Sequence, residues 1–412
     1  MYKTFFYHKE FLKKFKETIS SAHFDNRLRL REILTFVSMQ QKRVFMTVSS
    51  DLATDNRVHR SCLVLEELGY QIELLGRKKK NSPSMPKRSY GVRRLRLYFE
   101  KGALFYAELN IRLLLILLLN KQDFIFANDL DTLPAAFLAS RLKRKPILYD
   151  SHELFTEVPE LVGRPGVQKI WIALEKKILP HLGEMITVNQ SIAEIFQEKY
   201  PLKVSVVRNV PMRLEMIEAH PKSFLGLSET QAMLIIQGSG LNVERGIEES
   251  VMAMQQISDA VLFLVGDGDV IPAVKKMVSE LQLESKVRFV GRIPYHELLR
   301  YTAAADLGLA LDKPLSLNYA LALPNKVFDY IQAGTPILAG PLIEISRLVK
   351  THDCGLILGE VSSFEIARAI NKLLNDPQRL TLFSENCKKA AKVEHWGVDK
   401  EILAQVVQRV FI

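Results

Sequence analysis

The sequence is poor in cysteine, and this shortage excludes several classes of protein. Its 412 residues include three cysteines, Cys62, Cys354 and Cys387, which lie far apart and form no CxxC pair. A sparse and odd number argues against a disulfide framework and favours a reducing compartment. No cluster of cysteine and histidine has the spacing of zinc ligands. We therefore expect neither a disulfide scaffold nor a metal site.

Long apolar runs are lacking as well. The longest, LLLILLL at 113–119, is far shorter than the roughly 20 residues that a membrane-spanning helix needs, and we interpret it as a buried helix face. The first 20 residues, MYKTFFYHKEFLKKFKETIS, contain no apolar core of a signal peptide. These absences predict a cytoplasmic protein.

The composition that remains is that of a soluble globular protein. Apolar residues make up 48% of the chain and charged residues 25%. A chain of 412 residues is too long for one ordinary hydrophobic core, so we expect two domains. The net charge of +10 favours an anionic partner, which charge alone leaves open as phosphate, nucleotide, nucleic acid or membrane surface.

Short apolar runs alternate with helical patterns in both halves of the chain. Runs such as RVFMTVSS and DFIFAND are typical of buried strands in a parallel, doubly wound sheet. A mixed stretch with two prolines, 211–230, interrupts the pattern, and a second alternation follows it. We predict two Rossmann-like domains, with four segments in all: a basic extension (1–40), a first domain (41–212), a second domain (213–395) and a C-terminal helix (396–412).

Ligands of parallel sheets bind at the carboxyl ends of the strands, which directs attention to the residues that follow each run. The run PILYDSHE ends in a polar cluster whose His152 can bond a substrate hydroxyl, although a local cap or pair is the alternative. The stretch NDLD at 128–131 could hold a divalent metal against a diphosphate. We favour a helix cap or a wall of the active site there, because no further carboxylates cluster with it in the sequence.

Two glycine loops follow strands of the second half. In IIQGSGLNVERGIEE, Gly238 opens a loop that ends with Arg245 at a helix start. The loop N–H groups and the helix N-terminus suit a phosphate, and a plain strand–helix turn is the alternative. In VGDGD, Gly266 begins a tight turn that would touch a ligand through its backbone.

The stretch PNKVFDYIQAGTPILAG places Lys326 and Asp329 on one face of a helix that Gly334 ends. One interpretation is a surface ion pair worth a few tenths of a kcal/mol. The other separates their roles, with Lys326 on a phosphate at the helix N-terminus and Asp329 accepting from ribose hydroxyls.

From about Arg43 to its C-terminus, the chain resembles retaining GT-B glycosyltransferases, close to glycosyltransferase family 4. The resemblance is carried by DNRVHR, YDSHE, ERG, FVGRIPYHELLRYTAAADLGLA and LPNKVFDYIQAGTPILAG. It is strongest with bacterial members that make cell-surface polysaccharide or lipopolysaccharide. The resemblance implies two Rossmann-like domains that face each other across a cleft, the first for the acceptor and the second for a nucleotide-sugar.

The resemblance also implies roles for matching residues. His152, Arg245 and Lys326 would be catalytic, with His152 near the sugar and the two cations on the donor diphosphate. The donor-binding residues would be Gly238, Arg245, Gly266, Arg292, Ile293, Asn325, Lys326 and Asp329, of which Asp329 meets the ribose and Arg292 and Ile293 meet the base. The pattern departs from the family at Leu321, where a carboxylate is usual, and at Gly240, where a cation is usual.

These roles predict a metal-independent retaining enzyme without a cofactor, whose UDP- or GDP-linked sugar is a substrate. Its acceptor would be a glycan or a lipid-linked molecule. The basic loop at 76–102 and the N-terminal segment would contact an anionic membrane at the inner face of the cell membrane, or form a solvated loop and a docking extension.

Three other functions compete with this one. An epimerase or a phosphorylase of the same fold explains the PNK stretch less well. A non-catalytic subunit that binds a nucleotide-sugar or glycan is supported by Leu321. Nucleic-acid binding is disfavoured, because the basic stretch contains few aromatic residues for base stacking.

Overall fold

The computed structural model describes residues 42–314 and 316–411, so the predicted basic extension lies outside the described residues. The first apolar runs form one parallel sheet in the order β3-β2-β1-β4-β5-β6-β7. Its strands are β1 (Arg43–Asp51), β2 (Gln71–Arg77), β3 (Gly91–Leu95), β4 (Phe124–Asn128), β5 (Ile147–Ser151), β6 (Glu184–Thr187) and β7 (Lys203–Val206).

The second alternation forms another sheet, which is also parallel, in the order β10-β9-β8-β11-β12-β13. Its strands are β8 (Ala232–Gly238), β9 (Ala260–Gly266), β10 (Val287–Gly291), β11 (Leu307–Ala310), β12 (Ile337–Ala339) and β13 (Gly355–Ile357). In each sheet the chain order reverses beside the first strand, between β1 and β4 and between β8 and β11. The prediction of two Rossmann-like α/β domains is confirmed.

Helices connect the parallel strands. They are α1 (Asn56–Glu67), α2 (Gly102–Leu119), α3 (Leu133–Lys143), α4 (Pro159–Val162), α5 (Pro165–Ile178), α6 (Gln190–Lys199), α7 (Ile247–Ala253), α8 (Ile271–Glu280), α9 (Tyr295–Ala304), α10 (Leu317–Ala320), α11 (Asn325–Ala333), α12 (Ile343–His352), α13 (Ser363–Leu374), α14 (Pro377–Ala390) and α15 (Trp396–Phe411). Gly334 ends α11 with a φ of +73°, a left-handed conformation that glycine adopts without strain.

Apolar runs and short crossovers explain this arrangement. The central strands β1 and β8 are buried nearly throughout, as expected where helices cover a sheet. The last helix, α15, packs on α1, and its Phe411 stacks on Phe124 of the first sheet with ring centroids 4.4 Å apart. The C-terminal helix therefore packs on the first domain.

Two strands were missed by the sequence analysis, β3 and β7. Both lie at an edge of the first sheet and are partly exposed, so neither is a continuous apolar run. β3 lies inside the segment that we had interpreted as a basic loop. Its arginines pair with acidic residues of the sheet, for example Arg94 with Asp51 at 2.8 Å.

The interpretation of 113–119 as a buried helix face is only half right. The run belongs to α2, which buries Leu113 and Leu117 but exposes Leu115 and Leu119. By length and composition alone, α2 could cross a membrane, a test that buried helices of soluble proteins also pass. Its outward side carries apolar residues where a soluble helix normally carries charges.

Candidate active site

A cavity of about 700 Å³ lies where loops that follow strands of both sheets meet. The first domain contributes Arg57, His152 and Arg208 to its lining, and the second contributes Arg245 and Asn325. Of the predicted site residues, the structure thus brings His152, Arg245 and Asn325 to one cavity. The position agrees with the rule that ligands bind at the carboxyl ends of parallel strands.

His152, directly after β5, lies between two carboxylates. Its Nδ1 is 3.1 Å from Asp129 Oδ2, and its Nε2 is 3.2 Å from Asp150 Oδ2. The backbone N–H of His152 also donates to Asp129 Oδ1 at 3.1 Å. The Nε2 contact is an ion pair without hydrogen-bond geometry, and this nitrogen is buried against Asp150.

Arg57 holds the second of these carboxylates. Its Nε and Nη2 donate to the two oxygens of Asp150 at 3.1 and 2.7 Å, and its Nη1 donates to the carbonyl of Val207 at 2.9 Å. Both side chains are buried, and a two-pronged guanidinium–carboxylate pair fixes orientation as well as charge. We call Arg57, Asp129, Asp150 and His152 the His152 cluster.

His152 and Asp150 are both charged at neutral pH. Burial acts to lower the pKa of His152, but Asp129 and Asp150 outweigh it and raise the pKa to about 10. Burial acts to raise the pKa of Asp150, but Arg57 and His152 lower it to about 2. His152 is therefore an imidazolium whose two nitrogens are both donors.

The NDLD stretch lies beside His152, which Asp129 contacts, but none of its four residues lines the cavity, so its role as a wall of the active site stays a prediction. Burial and the charge of Asp129 raise the pKa of Asp131 to about 7, and Asp131 Oδ1 is buried without a partner. Thr132 precedes α3 but makes no side-chain cap bond, and its hydroxyl instead donates to the carbonyl of Asn128 at 2.7 Å. Within the described part of the chain, no group of three or more His, Cys, Asp or Glu is arranged to hold a metal.

On the second domain, two predicted diphosphate ligands meet at one carboxylate. Asp312, two residues after β11, has Oδ2 2.7 Å from Lys326 Nζ, and its Oδ1 accepts from Arg245 Nη1. Arg245 also lies over the ring of Tyr319, 5.1 Å from its centroid. We call Arg245, Asp312 and Lys326 the Asp312 cluster. Burial acts to raise the pKa of Asp312, but Lys326 and Arg245 lower it below its usual value.

The predicted glycine loops are tightly packed. Gly246, with φ of +71°, precedes α7, and a Cβ on it would come within 2.6 Å of the carbonyl oxygen of Leu311. A Cβ on Gly266 would come within 1.8 Å of the carbonyl oxygen of Gly238, so the ends of β8 and β9 touch. Gly238 and Gly266 do not line the cavity. The loops bring backbone close to backbone, and the predicted contact of Gly238 and Gly266 with a ligand stays a prediction.

The carboxylate of Asp329 accepts hydrogen bonds from side chains of the second domain. Tyr295 Oη donates to its Oδ1 at 2.7 Å, and Gln237 Nε2 donates to its Oδ2 at 3.1 Å. Burial raises the pKa of Asp329 to about 6 against these two hydrogen bonds. The surface ion pair with Lys326, one of our two interpretations, is absent, because Lys326 binds Asp312 instead.

The two residues predicted to meet the base lie outside the cavity lining. Arg292 follows β10 and is largely exposed, with its Nε 3.4 Å from Asp267 Oδ2. Ile293 is partly buried against the hydrophobic core. The structure therefore does not bring these residues to His152 and Arg245.

Leu321, where the family pattern has a carboxylate, is buried in an apolar cluster. Its side chain is 3% exposed and belongs to the apolar cluster of the first domain. Its carbonyl accepts from Asn189 Nδ2 at 2.8 Å. Nearby, Asn318 accepts from the backbone N–H of Leu154 at 2.9 Å and donates to Glu153 Oε2 at 3.1 Å. This segment joins the two domains.

Two groups of residues that build the site were not predicted from the sequence. Arg57 was given no role of its own, and Asp129 was considered only as part of the NDLD stretch, although Arg57 lies in the helix that follows β1 and Asp129 directly follows β4. Asp312 is the last residue of the strand-like run LGLALD, so its place at the carboxyl edge was a usable signal. Its pairing with Arg245 and Lys326 had no signal in the sequence.

Family models match most of the chain. The model described as glycosyl transferases group 1 matches residues 222–392, and the model described as Glycosyltransferase Family 4 matches residues 55–210. The chain is a GT-B glycosyltransferase of group 1 with a family 4 type N-terminal domain. The matched ranges contain Arg245 and Lys326 in one case and His152 in the other.

Curated relatives are distant and matched in part. A GDP-mannose-dependent monoacylated alpha-(1-6)-phosphatidylinositol monomannoside mannosyltransferase from Corynebacterium glutamicum is 25% identical over 51% of this glycosyltransferase and 56% of the relative. An N-acetyl-alpha-D-glucosaminyl L-malate synthase from Bacillus anthracis is 26% identical over 38% of this chain and 40% of the relative. The chain thus spans about half the length of the curated relatives it matches.

Solved structures share the fold over nearly the whole chain. A sucrose-phosphate synthase from Thermosynechococcus elongatus has a TM-score of 0.72 and 18% identity, with 90% of this chain and 99% of that one covered. HepE from Anabaena in complex with UDP-glucose has a TM-score of 0.66 and 16% identity, with 89% and 99% covered. At these identities the likeness shows the GT-B fold alone.

Proposed function

We propose that this glycosyltransferase is a metal-independent, retaining enzyme that moves a sugar from a UDP- or GDP-linked donor to a glycan or lipid-linked acceptor in cell-surface polysaccharide synthesis. The observation that carries the proposal is the position of the Asp312 cluster, whose Arg245 lines the same cavity as His152. One side of this cavity can bind the departing diphosphate and the other can bind the reacting sugar.

The donor half supplies positive charge where the leaving group needs it. Glycosyl transfer passes through an oxocarbenium-like state while negative charge grows on the diphosphate. Arg245 and Lys326 offer two cations there, and α11 begins beside them at Asn325, which lines the cavity. Preorganised cations and a helix N-terminus stabilise such charge without a metal ion.

The acceptor half offers a charged hydrogen-bond donor. His152 is protonated at neutral pH and lines the cavity, so in this proposal its imidazolium donates to a sugar hydroxyl next to the reacting carbon. The carboxylates nearest to it, Asp129 and Asp150, are engaged with His152 and Arg57 and are not free to attack the sugar. This supports retention without an enzymic nucleophile.

The names of similar proteins support the two donor classes. The Corynebacterium glutamicum relative is named as GDP-mannose-dependent and acts on a phosphatidylinositol mannoside, which supports a nucleotide-linked donor and a lipid acceptor. The Anabaena structure was solved with UDP-glucose. We therefore place UDP- and GDP-sugars first among the donors to test.

The test is transfer or hydrolysis with UDP-glucose, UDP-N-acetylglucosamine and GDP-mannose, in the presence and absence of EDTA. We expect one donor to be consumed at equal rates with and without EDTA. NMR should show that the product keeps the anomeric configuration of the donor. Inversion of that configuration contradicts retention, and a loss of rate in EDTA contradicts metal independence.

A non-catalytic subunit that binds nucleotide-sugar or glycan is the second candidate. It is favoured by Leu321, which leaves the donor side without the usual carboxylate. Tight binding of a nucleotide-sugar without turnover in the presence of membrane lipid extracts would support this function. Turnover by the wild type that falls in His152→Ala would exclude it.

We also propose that the protein works at the cytoplasmic face of a membrane, with lipid as a partner and nucleic acid excluded. The outward side of α2 exposes Leu104, Ile111, Leu115 and Leu119. Exposed lysines adjoin this stripe at both ends of the helix, Lys101 and Lys121. An apolar stripe with flanking cations complements an anionic bilayer surface.

Vesicle flotation tests this contact. We expect the protein to float with vesicles that contain phosphatidylglycerol and to remain unbound with pure phosphatidylcholine vesicles. Ile111→Glu should abolish flotation, whereas Phe364→Glu, at an exposed apolar residue of the second domain, should leave it intact. Equal loss in both variants, or steep salt-sensitive binding to duplex DNA, would contradict the proposal.

A further inference from the structure

Asp312 occupies a position in the second sheet that suits control of a bound anion. It lies two residues beyond β11, next to β8, where the chain order of the sheet reverses. Its side chain is buried, with 3% of its surface exposed. A buried carboxylate at this edge is costly unless cations compensate it, so its partners are expected to define its role.

The two partners reach Asp312 from different loops. Lys326 comes from the first turn of α11, with Nζ 2.7 Å from Asp312 Oδ2. Arg245 comes from the loop before α7 and donates to the other oxygen, Oδ1. Each carboxylate oxygen thus holds one cation, and the two cations lie side by side although they are distant in the sequence.

The backbone beside Asp312 fixes the loop that carries Arg245. The N–H of Lys313 donates to the carbonyl of Glu244 at 3.0 Å. On the other side, Gly246 packs so closely on Leu311 that a Cβ would not fit. Residues 311–313 therefore fix the position of the backbone around Arg245 and the position of its guanidinium.

Charge decides what this arrangement does in the absence of a donor. Two cations and one ionised carboxylate leave a net charge of one positive unit, because Lys326 and Arg245 keep the pKa of Asp312 low against burial. Without Asp312, both cations would act on any bound diphosphate in full. Such binding would hold substrate and product alike, and uniform binding does not raise kcat.

We propose that Asp312 is a positioning residue that holds Arg245 and Lys326 side by side for the donor diphosphate and cancels one of their two charges. The orientation serves the transition state, and the cancelled charge lets the nucleoside diphosphate product leave. The inference rests on the proposed donor site.

The experiment compares Asp312→Asn with the wild-type protein in two measurements. Calorimetry with UDP and GDP measures affinity without turnover, and steady-state kinetics measures kcat and KM. We expect the nucleoside diphosphate that the wild type prefers to bind at least about threefold more tightly to the variant, because a nearby negative charge is removed. We expect kcat to fall by about tenfold or more, because the cations lose their fixed geometry.

A second variant separates charge from position. Asp312→Glu keeps the negative charge but moves it by one methylene, so kcat should fall while the affinity for the nucleoside diphosphate stays near that of the wild type. Asp306→Asn is the matched control. Asp306 lies at the other end of β11, where it accepts from the N–H of Met233 at 2.7 Å. Asp306→Asn should lower the melting temperature but leave kcat and the affinity for the nucleoside diphosphate unchanged.

Each outcome decides between the role and its rivals. If affinity and kcat fall together in Asp312→Asn, the residue only supports the fold, and the inference is overturned. It is also overturned if neither quantity changes. If the wild type binds neither UDP nor GDP, the proposed donor site fails, and this result is independent of the comparison between variants.

Discussion

The His152 cluster and the Asp312 cluster, which reach the cavity through Arg57, His152 and Arg245, have different charge balances, and we call them its first and second walls. Each wall gathers cations and carboxylates after strands that flank the reversal of chain order. The first wall has two cations and two carboxylates: Arg57, His152, Asp129 and Asp150. The second has two cations and one carboxylate: Arg245, Lys326 and Asp312.

This difference indicates what each wall can bind. A balanced cluster creates little net field, so the His152 cluster suits a neutral partner such as a sugar hydroxyl, which it meets with an oriented N–H. A cluster with one excess positive charge attracts an anion, so the Asp312 cluster suits a diphosphate. The same fold is thus adapted to orientation on one side and to anion binding on the other.

The largest expected effect is at the wall with excess charge. Arg245→Ala removes a cation from the cavity, and we expect kcat/KM to fall by about 10²- to 10³-fold, as for loss of an oxyanion donor. Calorimetry should show a loss of nucleoside diphosphate affinity as well. Arg300→Ala is the control, since Arg300 belongs to the same domain but pairs with Glu297.

Equal effects of Arg245→Ala and Arg300→Ala would contradict the view that the Asp312 cluster attracts the donor through its local excess charge. In that case the net charge of the domain, rather than the local cluster, would attract the donor. A fall in kcat/KM at high salt for the wild type, without any difference between the variants, would point the same way.

The next effect concerns Leu321, which belongs to the second domain but packs in the first. Leu321→Glu places a carboxylate in an apolar cluster, and we expect the free energy of unfolding to fall by about 3 kcal/mol. Leu317→Glu, at a half-exposed residue of the same segment, should cost little. If Leu321→Glu instead keeps its melting temperature and binds donor more tightly, the new carboxylate contacts the sugar as in the family pattern. That result would contradict a stabilising role of Leu321 in the first domain.

The fold was accessible from the sequence because central strands of parallel sheets are continuous apolar runs. Such runs predicted eleven of the thirteen strands in the described residues. The exceptions, β3 and β7, are edge strands that are covered on fewer sides, so their sequences GVRRL and KVSV are mixed. Edge strands need the neighbouring strand to be recognised, and this information is not local.

The site was accessible only in part, for a related reason. The strand-end rule and the family resemblance indicated His152, Arg245 and Asn325, which line the cavity. Pairings across loops were not accessible, because nothing near Asp312 in the sequence identifies Lys326 as its partner. The assignment of Asp329 to the ribose and of Arg292 to the base remains a prediction.

A smaller effect is expected at the balanced wall. His152→Ala removes one charged hydrogen-bond donor, and we expect kcat to fall by about 10- to 100-fold. Nucleoside diphosphate affinity should not change, because His152 faces the other wall. His220→Ala is the control, since His220 pairs with Glu297 outside the cavity. A parallel loss of nucleoside diphosphate affinity in His152→Ala would contradict the assignment of the sugar to the first wall and of the diphosphate to the second.

The smallest effect is a shift in pH dependence. The pKa of His152 is about 10 in the folded protein and 6.5 for a free side chain, so its contribution to stability is complete below pH 6.5 and is lost as the pH rises through about 10.

Asp129→Asn removes one of the carboxylates that raise this pKa. We therefore expect the alkaline fall of kcat, near pH 10 in the wild type, to begin at lower pH in this variant. Asp131→Asn should instead alter a transition near pH 7, where Asp131 titrates, and leave the alkaline fall in place. An alkaline limb that Asp129→Asn does not move would show that the charge of His152 is not used in the reaction, and the balanced wall would then be a structural cluster.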